Sequence, residues 1–220
     1  EEFYVASLSH RTLVYKGQFK DDQPVGTFTR YYEEGGLKAE MHYRSPKIVY
    51  TKLYYPGRKP VLMAEGKYIE QKKDSIWLSY DPAGQLQGLD TYQEDVRNGR
   101  SVVYHENGAV SEETTYVDGK RHGEWKKYYP DGTLMSDGTF ENGQRVGEYL
   151  KNYPNGKLWV KGEYIDGFKE STWIYGNENG SIGQMVVYRK GKEIKQVKRN
   201  GTFTDYYELD KPKLVENYKN

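Results

Sequence analysis

Aromatic side chains are the residues of this chain whose type and spacing most readily suggest binding chemistry. The chain holds 23 Tyr, 6 Phe and 4 Trp among 220 residues. Several recur every 24 residues, as Trp125, Tyr149 and Trp173 do. Flat rings of this kind can anchor a partner protein or stack on a sugar. The alternative is that the rings cover one another and nearby glycines, which a repeated pattern explains without any ligand.

Two features depart from this repetition. Trp159 occupies a position that other copies of the pattern fill with Met, Gln or Gly, and strand alternation predicts that it points to the solvent-facing side. Residues 189–199 concentrate positive charge, which could contact an anionic lipid, a nucleic acid or an acidic partner, or could be a solvated hairpin. The predicted partner contacts are Trp159, Trp125, Tyr149, Trp173, Lys190, Lys192, Lys195, Lys198 and Arg199.

Residues that could perform catalysis or bind metal are present but do not converge. The four histidines fall at different places in the repeated pattern, and the carboxylates are spread over turns and strand faces. Acidic turn residues could chelate calcium along one edge, but their number fits turn chemistry better. The chain has no Cys, which excludes disulfides and thiolate metal sites. We therefore predict no catalytic residue, no metal site and no cofactor.

The elements that must position these side chains form a repeat. Within residues 118–167 one pattern occurs twice, so that Gly123 and Trp125 return 24 residues later as Gly147 and Tyr149. A fixed period of this length is typical of repeat architectures, in which each unit buries its apolar face against its neighbours. The composition agrees, because the chain is rich in Tyr and holds 24 Gly, as sheets and turns require.

Each copy of the pattern predicts a β-hairpin. Asp131-Gly132 is a strong signal for a two-residue type I′ turn, in which both residues need positive φ. Pairing outward from that turn places Tyr129 opposite Leu134 and Trp125 opposite Gly138. A ring opposite a glycine can cover the bare backbone, and the alternation of strand side chains puts these residues on one face, here called the aromatic face.

The hairpins are predicted to follow one another along the whole chain. A second set of turns joins them, at Asp118-Gly119, Asn142-Gly143, Asp166-Gly167 and Lys190-Gly191. The predicted fold is all-β, an elongated single-layer antiparallel sheet of tandem hairpins, twisted or curved. We expect one repeat domain, 1–220, of about nine hairpins. Their approximate bounds are 1–24, 25–48, 49–72, 73–96, 97–120, 121–144, 145–168, 169–192 and 193–220.

This spacing resembles a known family. The run from Tyr116 through Gly119, Gly123 and Trp125 to Tyr128-Tyr129-Pro130-Asp131-Gly132 resembles the MORN repeat. It is similar to the variant found in the bacterial YwqK family of toxin–antitoxin antitoxins. The resemblance implies a β-sheet interaction module with roles in scaffolding, dimerisation or lipid association. No catalytic residues accompany it.

The sequence therefore predicts a non-enzymatic module that binds a partner protein, as a scaffold, an adaptor or an antitoxin-like inhibitor. The alternative is recognition of cell-envelope glycan or lipid head groups by aromatic and basic side chains. Self-association through the end units is a further expectation, and a membrane surface is a weaker one. The net charge of +1 disfavours nucleic acid as a partner. The chain starts without Met, which slightly favours an exported or periplasmic protein over a cytoplasmic one.

Overall fold

The structure is a computed structural model that describes residues 2–7, 10–198, 202–208 and 211–217, with side chains placed from residue 14 to residue 196. The chain divides into two compact units, Glu1–Gly108 and Ala109–Asn220. Each unit is built from antiparallel strands, most of which pair with their neighbours in chain order. The described residues contain strands and turns, and no helix with the length and apolarity that membrane crossing requires.

Unit 1 is an antiparallel sheet in which consecutive strands are joined by short turns. Its strands are β1 (Glu2–Ser7), β2 (His10–Lys20), β3 (Gln23–Tyr31), β4 (Leu37–Ser45), β5 (Ile48–Tyr54), β6 (Leu62–Ile69), β7 (Lys72–Tyr80), β8 (Leu86–Gln93) and β9 (Val96–Tyr104). The buried apolar side chains of this unit are Phe28, Ala39, Val49, Trp77 and Val102.

Unit 2 continues the same pattern of hairpins. Its strands are β10 (Val110–Val117), β11 (Lys120–Tyr128), β12 (Leu134–Glu141), β13 (Gln144–Asn152), β14 (Leu158–Ile165), β15 (Phe168–Gly176), β16 (Ile182–Arg189), β17 (Lys192–Lys198), β18 (Thr202–Glu208) and β19 (Lys211–Asn217). Strands β18 and β19 pair with each other in a separate two-stranded sheet. The buried apolar residues are Trp125, Phe140, Trp173 and Val186.

These observations confirm the predicted all-β class of antiparallel tandem hairpins. The predicted register is also confirmed over most of the central hairpin, where Lys127 pairs with Ser136 and Trp125 with Gly138. The next hairpin repeats this register one period later, with Tyr149 opposite Gly162.

The turn prediction for Asp131-Gly132 is wrong. Only Gly132 has a positive φ, of 85°, and its N–H bonds to the carbonyl of Tyr129. The Tyr129 N–H in turn bonds to the carbonyl of Thr133, so the loop is Pro130-Asp131-Gly132. This is a three-residue loop that ends in a left-handed glycine. The Asp131 carboxylate accepts the Thr133 N–H, which fixes the loop from within.

The turns that join successive hairpins have the type I′ geometry that was predicted for Asp131-Gly132. Asn142 and Gly143 have φ of 50° and 85°, and Asp166 and Gly167 have φ of 51° and 80°. Positive φ at both central residues is the property of type I′ turns. The two kinds of turn therefore alternate along the chain, and only the joining turns are two-residue turns.

A bulge follows each three-residue loop. Tyr128 pairs with Leu134, while Lys127 pairs with Ser136, so Met135 is an extra residue on β12. The predicted pair of Tyr129 with Leu134 is therefore wrong. Beyond the bulge the predicted register returns, because the third loop residue and the bulged residue shift the two strands by compensating amounts.

Candidate interaction face of unit 2

The aromatic face of unit 2 is a continuous layer of rings. Tyr149 stacks between Trp125 and Trp173, with ring centroids 6.5 and 5.9 Å away. Phe140 and Tyr164 pack edge-on against these rings. Trp125 and Trp173 are 5% and 1% exposed, so both serve as core residues. Their predicted role in partner contact stays a prediction beside this structural role.

The glycines under the rings are covered by a different neighbour from the one predicted. A Cβ added at Gly162 would lie well under 3.0 Å from three atoms of Trp173, which belongs to the following strand. At Gly138 the nearest ring atom is Tyr149 Cδ2 at 3.4 Å, and Trp125 is farther at 3.8 Å. The ring that covers each glycine therefore comes 11 residues later in the chain.

Gly123 and Gly147 have another function. They have φ of 81° and 67°, and the pairing of each strand with its predecessor is irregular there. L-residues pay a steric penalty in this left-handed region, which glycine avoids. These two repeated glycines are explained by backbone conformation and not by the ring opposite them.

A cation recurs in the same column as these rings. The Arg145 guanidinium lies 5.2 to 5.7 Å from the centroids of four rings, those of Trp125, Phe140, Tyr149 and Tyr164. One period later the Lys169 ammonium lies 4.4 Å from the Trp173 ring and donates a hydrogen bond of 2.9 Å to the Tyr175 hydroxyl. These contacts are cation–π interactions.

Carboxylates in this part of the sheet lie on the other face. Each aspartate and glutamate of strands β12–β16 alternates in sequence with residues of the aromatic face. They are Asp137, Glu141, Glu148, Glu163 and Glu170. Glu163 stands between Glu148 and Glu170 across the strands, and Glu148 forms an ion pair of 3.6 Å with Lys161. Over these strands the aromatic face carries cations without acids.

Trp159 lies on the aromatic face, which corrects its predicted orientation. Its ring stacks on Tyr153 with centroids 5.1 Å apart, and the Lys151 ammonium lies 3.6 Å from its centroid. Lys151 and Tyr149 are two residues apart on β13 and share a face. The physical reason is the bulge, because Trp159 is the extra residue between Leu158 and Val160 and ordinary alternation fails there. Its side chain is 38% exposed.

The basic segment 189–199 is a turn and a strand. Lys190 lies in the type I′ turn before β17, and its backbone N–H donates to the Glu170 carboxylate at 2.6 Å. Lys190 and Lys192 are exposed, and Lys195 is half-buried. Lys198 is described only as the strand residue that pairs with Gln184, and Arg199 lies outside the described residues. The segment is not brought together with Trp159 by any described contact.

Tyrosine hydroxyls tie successive hairpins together at the three-residue loops. The Tyr129 hydroxyl donates to the carbonyl of Asn152, and the Tyr153 hydroxyl donates to the carbonyl of Gly176, at 2.9 and 3.1 Å. On the aromatic face, burial raises the pKa of Tyr188, and its hydrogen bond with Tyr175 acts in the same direction. The Tyr188 phenol is therefore a neutral hydrogen-bonding group.

Unit 1 holds a shallow depression of about 460 Å³ on the sheet face opposite Trp77. Its lining includes His42, Tyr50, Lys52 and Ile76. The His42 ring nitrogen shares a hydrogen bond of 2.9 Å with the Thr27 hydroxyl. Among the described residues, no three His, Asp or Glu side chains are grouped so that they could hold a metal ion.

Sequence reasoning overlooked the cation column. Its signal is a basic residue two positions before the left-handed Gly or Ser of five successive hairpins. The members are Lys73, Arg97, Arg121, Arg145 and Lys169. The sequence alone shows that these basic residues recur. It does not show that the nearby carboxylates of strands β12–β16 lie on the opposite face of the sheet.

Comparison with known proteins identifies the repeat. A profile of the MORN repeat variant family matches residues 24–45, 73–94, 97–118, 121–142 and 145–166, which together make up half of the chain. No curated protein matches. Neither finding names the YwqK family or an antitoxin, so that part of the resemblance stays a prediction.

Two solved structures show a weak likeness. The crystal structure of TcdB2-TccC3-TEV is 11% identical over 92% of this chain, with a TM-score of 0.22, and the chain spans 15% of its length. A porin-like protein from Bacteroides uniformis ATCC 8492 is 12% identical over 83% of this chain and 92% of its own, with a TM-score of 0.21. Scores this low carry no argument about fold or function.

Proposed function

Because the chain belongs to the MORN repeat variant family, we propose that it is a non-enzymatic module that binds a partner protein. MORN repeats generally mediate protein or membrane-lipid interactions, and their all-β repeat fold is typically non-catalytic. The observation that carries the proposal for a protein partner is the environment of Trp159.

Trp159 has the properties of an interface anchor. It is a large ring that stays 38% exposed, although the other described tryptophans of unit 2 are buried. Tyr153 stacks on the ring and the Lys151 ammonium lies over it, and these contacts restrict its rotation. A side chain that is fixed before binding loses little conformational entropy in the complex, and tryptophan is enriched among residues that dominate binding energy.

The test is a comparison of captured proteins. The full chain and its Trp159→Ala variant are used as bait in lysate of the source organism, and bound proteins are identified by mass spectrometry. Met135→Ala is the matched control, because Met135 is the bulged residue of the preceding hairpin. We expect one partner that is lost with Trp159→Ala and retained with Met135→Ala. An unchanged set of captured proteins, or substrate turnover by the isolated chain, would refute the proposal.

The finer roles are an adaptor or an antitoxin-like inhibitor. They differ in what happens to the captured partner. An inhibitor abolishes an activity of that partner on binding, whereas an adaptor leaves the activity intact and recruits a further protein. Assay of the purified partner with and without the chain separates the two roles.

A second candidate function is recognition of cell-envelope glycan or lipid head groups. The exposed edge of the Trp159 ring beside the Lys151 ammonium favours it, because ring edges contact sugars and anionic head groups bind cations. Exposed Lys190 and Lys192 add positive charge elsewhere in unit 2. Sedimentation with cell-wall material and with anionic vesicles tests this candidate, and salt sensitivity separates lysine contacts from ring contacts.

A further inference from the structure

The cations of the column in unit 2 are Arg121, Arg145 and Lys169, and they differ in whether a carboxylate lies beside them. Arg121 forms an ion pair of 2.7 Å with Glu112 on β10. The same carboxylate accepts the Trp125 indole N–H at 2.9 Å and lies 3.4 Å from the Lys127 ammonium. Arg121, the first cation of the column in unit 2, therefore has a carboxylate partner within the chain.

The next repeat has no carboxylate at this position. Ser136 stands 24 residues after Glu112 and relates to Arg145 as Glu112 relates to Arg121. Within the part of the chain that the structure describes, Arg145 forms no ion pair. Its Nε is buried and has no hydrogen-bond partner. Four rings surround the Arg145 guanidinium, and no carboxylate among the described residues pairs with it.

Lys169 repeats this situation. Val160 stands where Glu112 would recur, and the Lys169 ammonium has a phenol and ring faces for neighbours. A tyrosine hydroxyl accepts a hydrogen bond from the ammonium but brings no negative charge. Arg145 and Lys169 are thus consecutive cations of the column, on strands β12–β16 whose aromatic face carries no acid. The next position of the column is Glu193 on β17, opposite Tyr188.

The energetics favour an external anion at this pair. Cation–π contacts contribute about 0.5–2 kcal/mol each. Desolvation of a charge costs more than this unless a counter-ion and hydrogen bonds compensate. A guanidinium that is already desolvated by rings, and already oriented, binds a carboxylate without paying these costs again.

We infer that Arg145 and Lys169 bind carboxylates of an acidic segment of a partner protein. The inference rests on the proposed function and specifies the chemistry of the partner. The two cations are two strands apart, about 10 Å along the sheet. Carboxylates on alternate residues of an extended segment are about 7 Å apart, and the long Arg and Lys side chains span the remainder.

Charge count favours a protein over a membrane or a nucleic acid. Clusters that bind anionic membranes contain roughly 4–8 basic residues, and nucleic-acid binding needs many phosphate contacts. On strands β12–β16 the basic residues of the aromatic face are Arg145, Lys151 and Lys169, and Arg145 is enclosed by rings. A few carboxylates on slender side chains fit this site better than a flat sheet of phosphates.

The experiment measures binding of short fluorescein-labelled poly-L-glutamate to the full chain by fluorescence anisotropy at low ionic strength. We expect Arg145→Gln to weaken binding about tenfold, as loss of a charge-assisted hydrogen bond does. Ser136→Glu installs the carboxylate that neutralises Arg121 one repeat earlier, so it should weaken binding to a similar extent with Arg145 still present. Lys169→Gln is the independent variant should either of these fail to fold.

Arg121→Gln is the matched control, because it removes the same charge from the same column where Glu112 already neutralises it. We expect its binding to stay within about twofold of the unmodified chain, since an already paired cation contributes little to an added anion. Equal losses for Arg121→Gln and Arg145→Gln would overturn the inference, because they would show an effect of net charge alone.

The other occupants are outcomes of the same experiment. Phosphatidylserine vesicles or single-stranded DNA bound more tightly than poly-L-glutamate, and released by Arg145→Gln, would overturn the assignment to carboxylates. A partner captured through Trp159 and bound equally well by Arg145→Gln would refute the inference while the proposed function stands. If partner capture did not depend on Trp159 but poly-L-glutamate binding still needed Arg145, the proposed role of Trp159 would be refuted and the inference about Arg145 would stand.

Discussion

Replacement of Gly162 by alanine tests the packing of unit 2 at its tightest point. The φ of Gly162 lies outside the left-handed region, so alanine is allowed by the backbone. The added methyl group would lie well under 3.0 Å from the Trp173 ring. That ring is 1% exposed and stacks on Tyr149, and its N–H donates to two carbonyls at 3.2 Å. It has little room to move.

The expected loss follows from these contacts. Overpacking a rigid core costs about 1–3 kcal/mol. Displacement of the indole weakens its hydrogen bonds by about 1 kcal/mol more. Alanine also lowers the conformational entropy of the unfolded chain, which stabilises the folded protein by about 0.4–1 kcal/mol. Gly162→Ala should therefore lower the free energy of unfolding by about 1–3.5 kcal/mol, the difference of these contributions.

Gly138→Ala is the matched control. A Cβ at Gly138 meets Tyr149 at 3.4 Å, which is an ordinary contact. We expect it to be neutral or stabilising by about 0.5 kcal/mol through the unfolded state. Urea unfolding followed by tryptophan fluorescence gives the overall change. Amide hydrogen exchange of β13–β15 gives the local one, since a repeat array can unfold in parts.

Equal losses for the two variants would refute the packing argument. A double variant that combines Gly162→Ala with Trp173→Leu makes the same point from the other side. The smaller side chain leaves room for the methyl group, so the two changes together should cost about 1–3 kcal/mol less than the sum of the single changes. Strict additivity would show that Trp173 is not what Gly162 accommodates.

Two further predictions concern tyrosine hydroxyls. Tyr153→Phe removes the hydrogen bond to the Gly176 carbonyl and should lower the free energy of unfolding by about 1 kcal/mol. Amide hydrogen exchange should become faster around the loop after β15. Unchanged exchange there would contradict the role of this hydrogen bond. In unit 1, burial and the hydrogen bond to Glu65 raise the pKa of Tyr80 from 10.0 to about 12. The unfolded chain releases this proton at lower pH than the folded chain, so the contribution of Tyr80 is fully present below pH 10.0 and is lost as the pH rises through about 12. Urea unfolding should show a steeper loss over this interval for the unmodified chain than for Tyr80→Phe, and identical slopes would contradict the assignment.

The register of the hairpins was predictable, although for a reason that was partly wrong. A two-residue turn at Asp131-Gly132 places Trp125 opposite Gly138, as observed. The actual loop has three residues and would shift the strands, but the bulged Met135 shifts them back. The alternation of side chains along the strands depends only on the combined shift from the loop and the bulge, and that combined shift is zero. Sequence reasoning therefore recovered the distant pairs and missed the pair next to the loop.

The same cancellation explains the error at Trp159. Orientation was predicted from alternation alone, and alternation holds everywhere in this hairpin except at the bulge. Trp159 is the bulged residue, so strand alternation gave the wrong sheet face for its side chain. A sign of the bulge was available in the Pro-x-Gly loops, since Pro130 and Pro154 favour a type I turn over type I′.

Functional candidates lie where one repeat differs from the next. Rings, turn residues and left-handed glycines recur because every hairpin must pack in the same way, so their recurrence is explained by stability. Packing does not require the exchange of Met135 for Trp159, and it does not require the loss of Glu112 at Ser136 and Val160. Arg145 and Lys169 repeat the cation of Arg121, but no carboxylate pairs with either of them among the described residues. A desolvated cation is most stable beside a counter-ion, and the proposed acidic segment of a partner would supply one to Arg145 and Lys169.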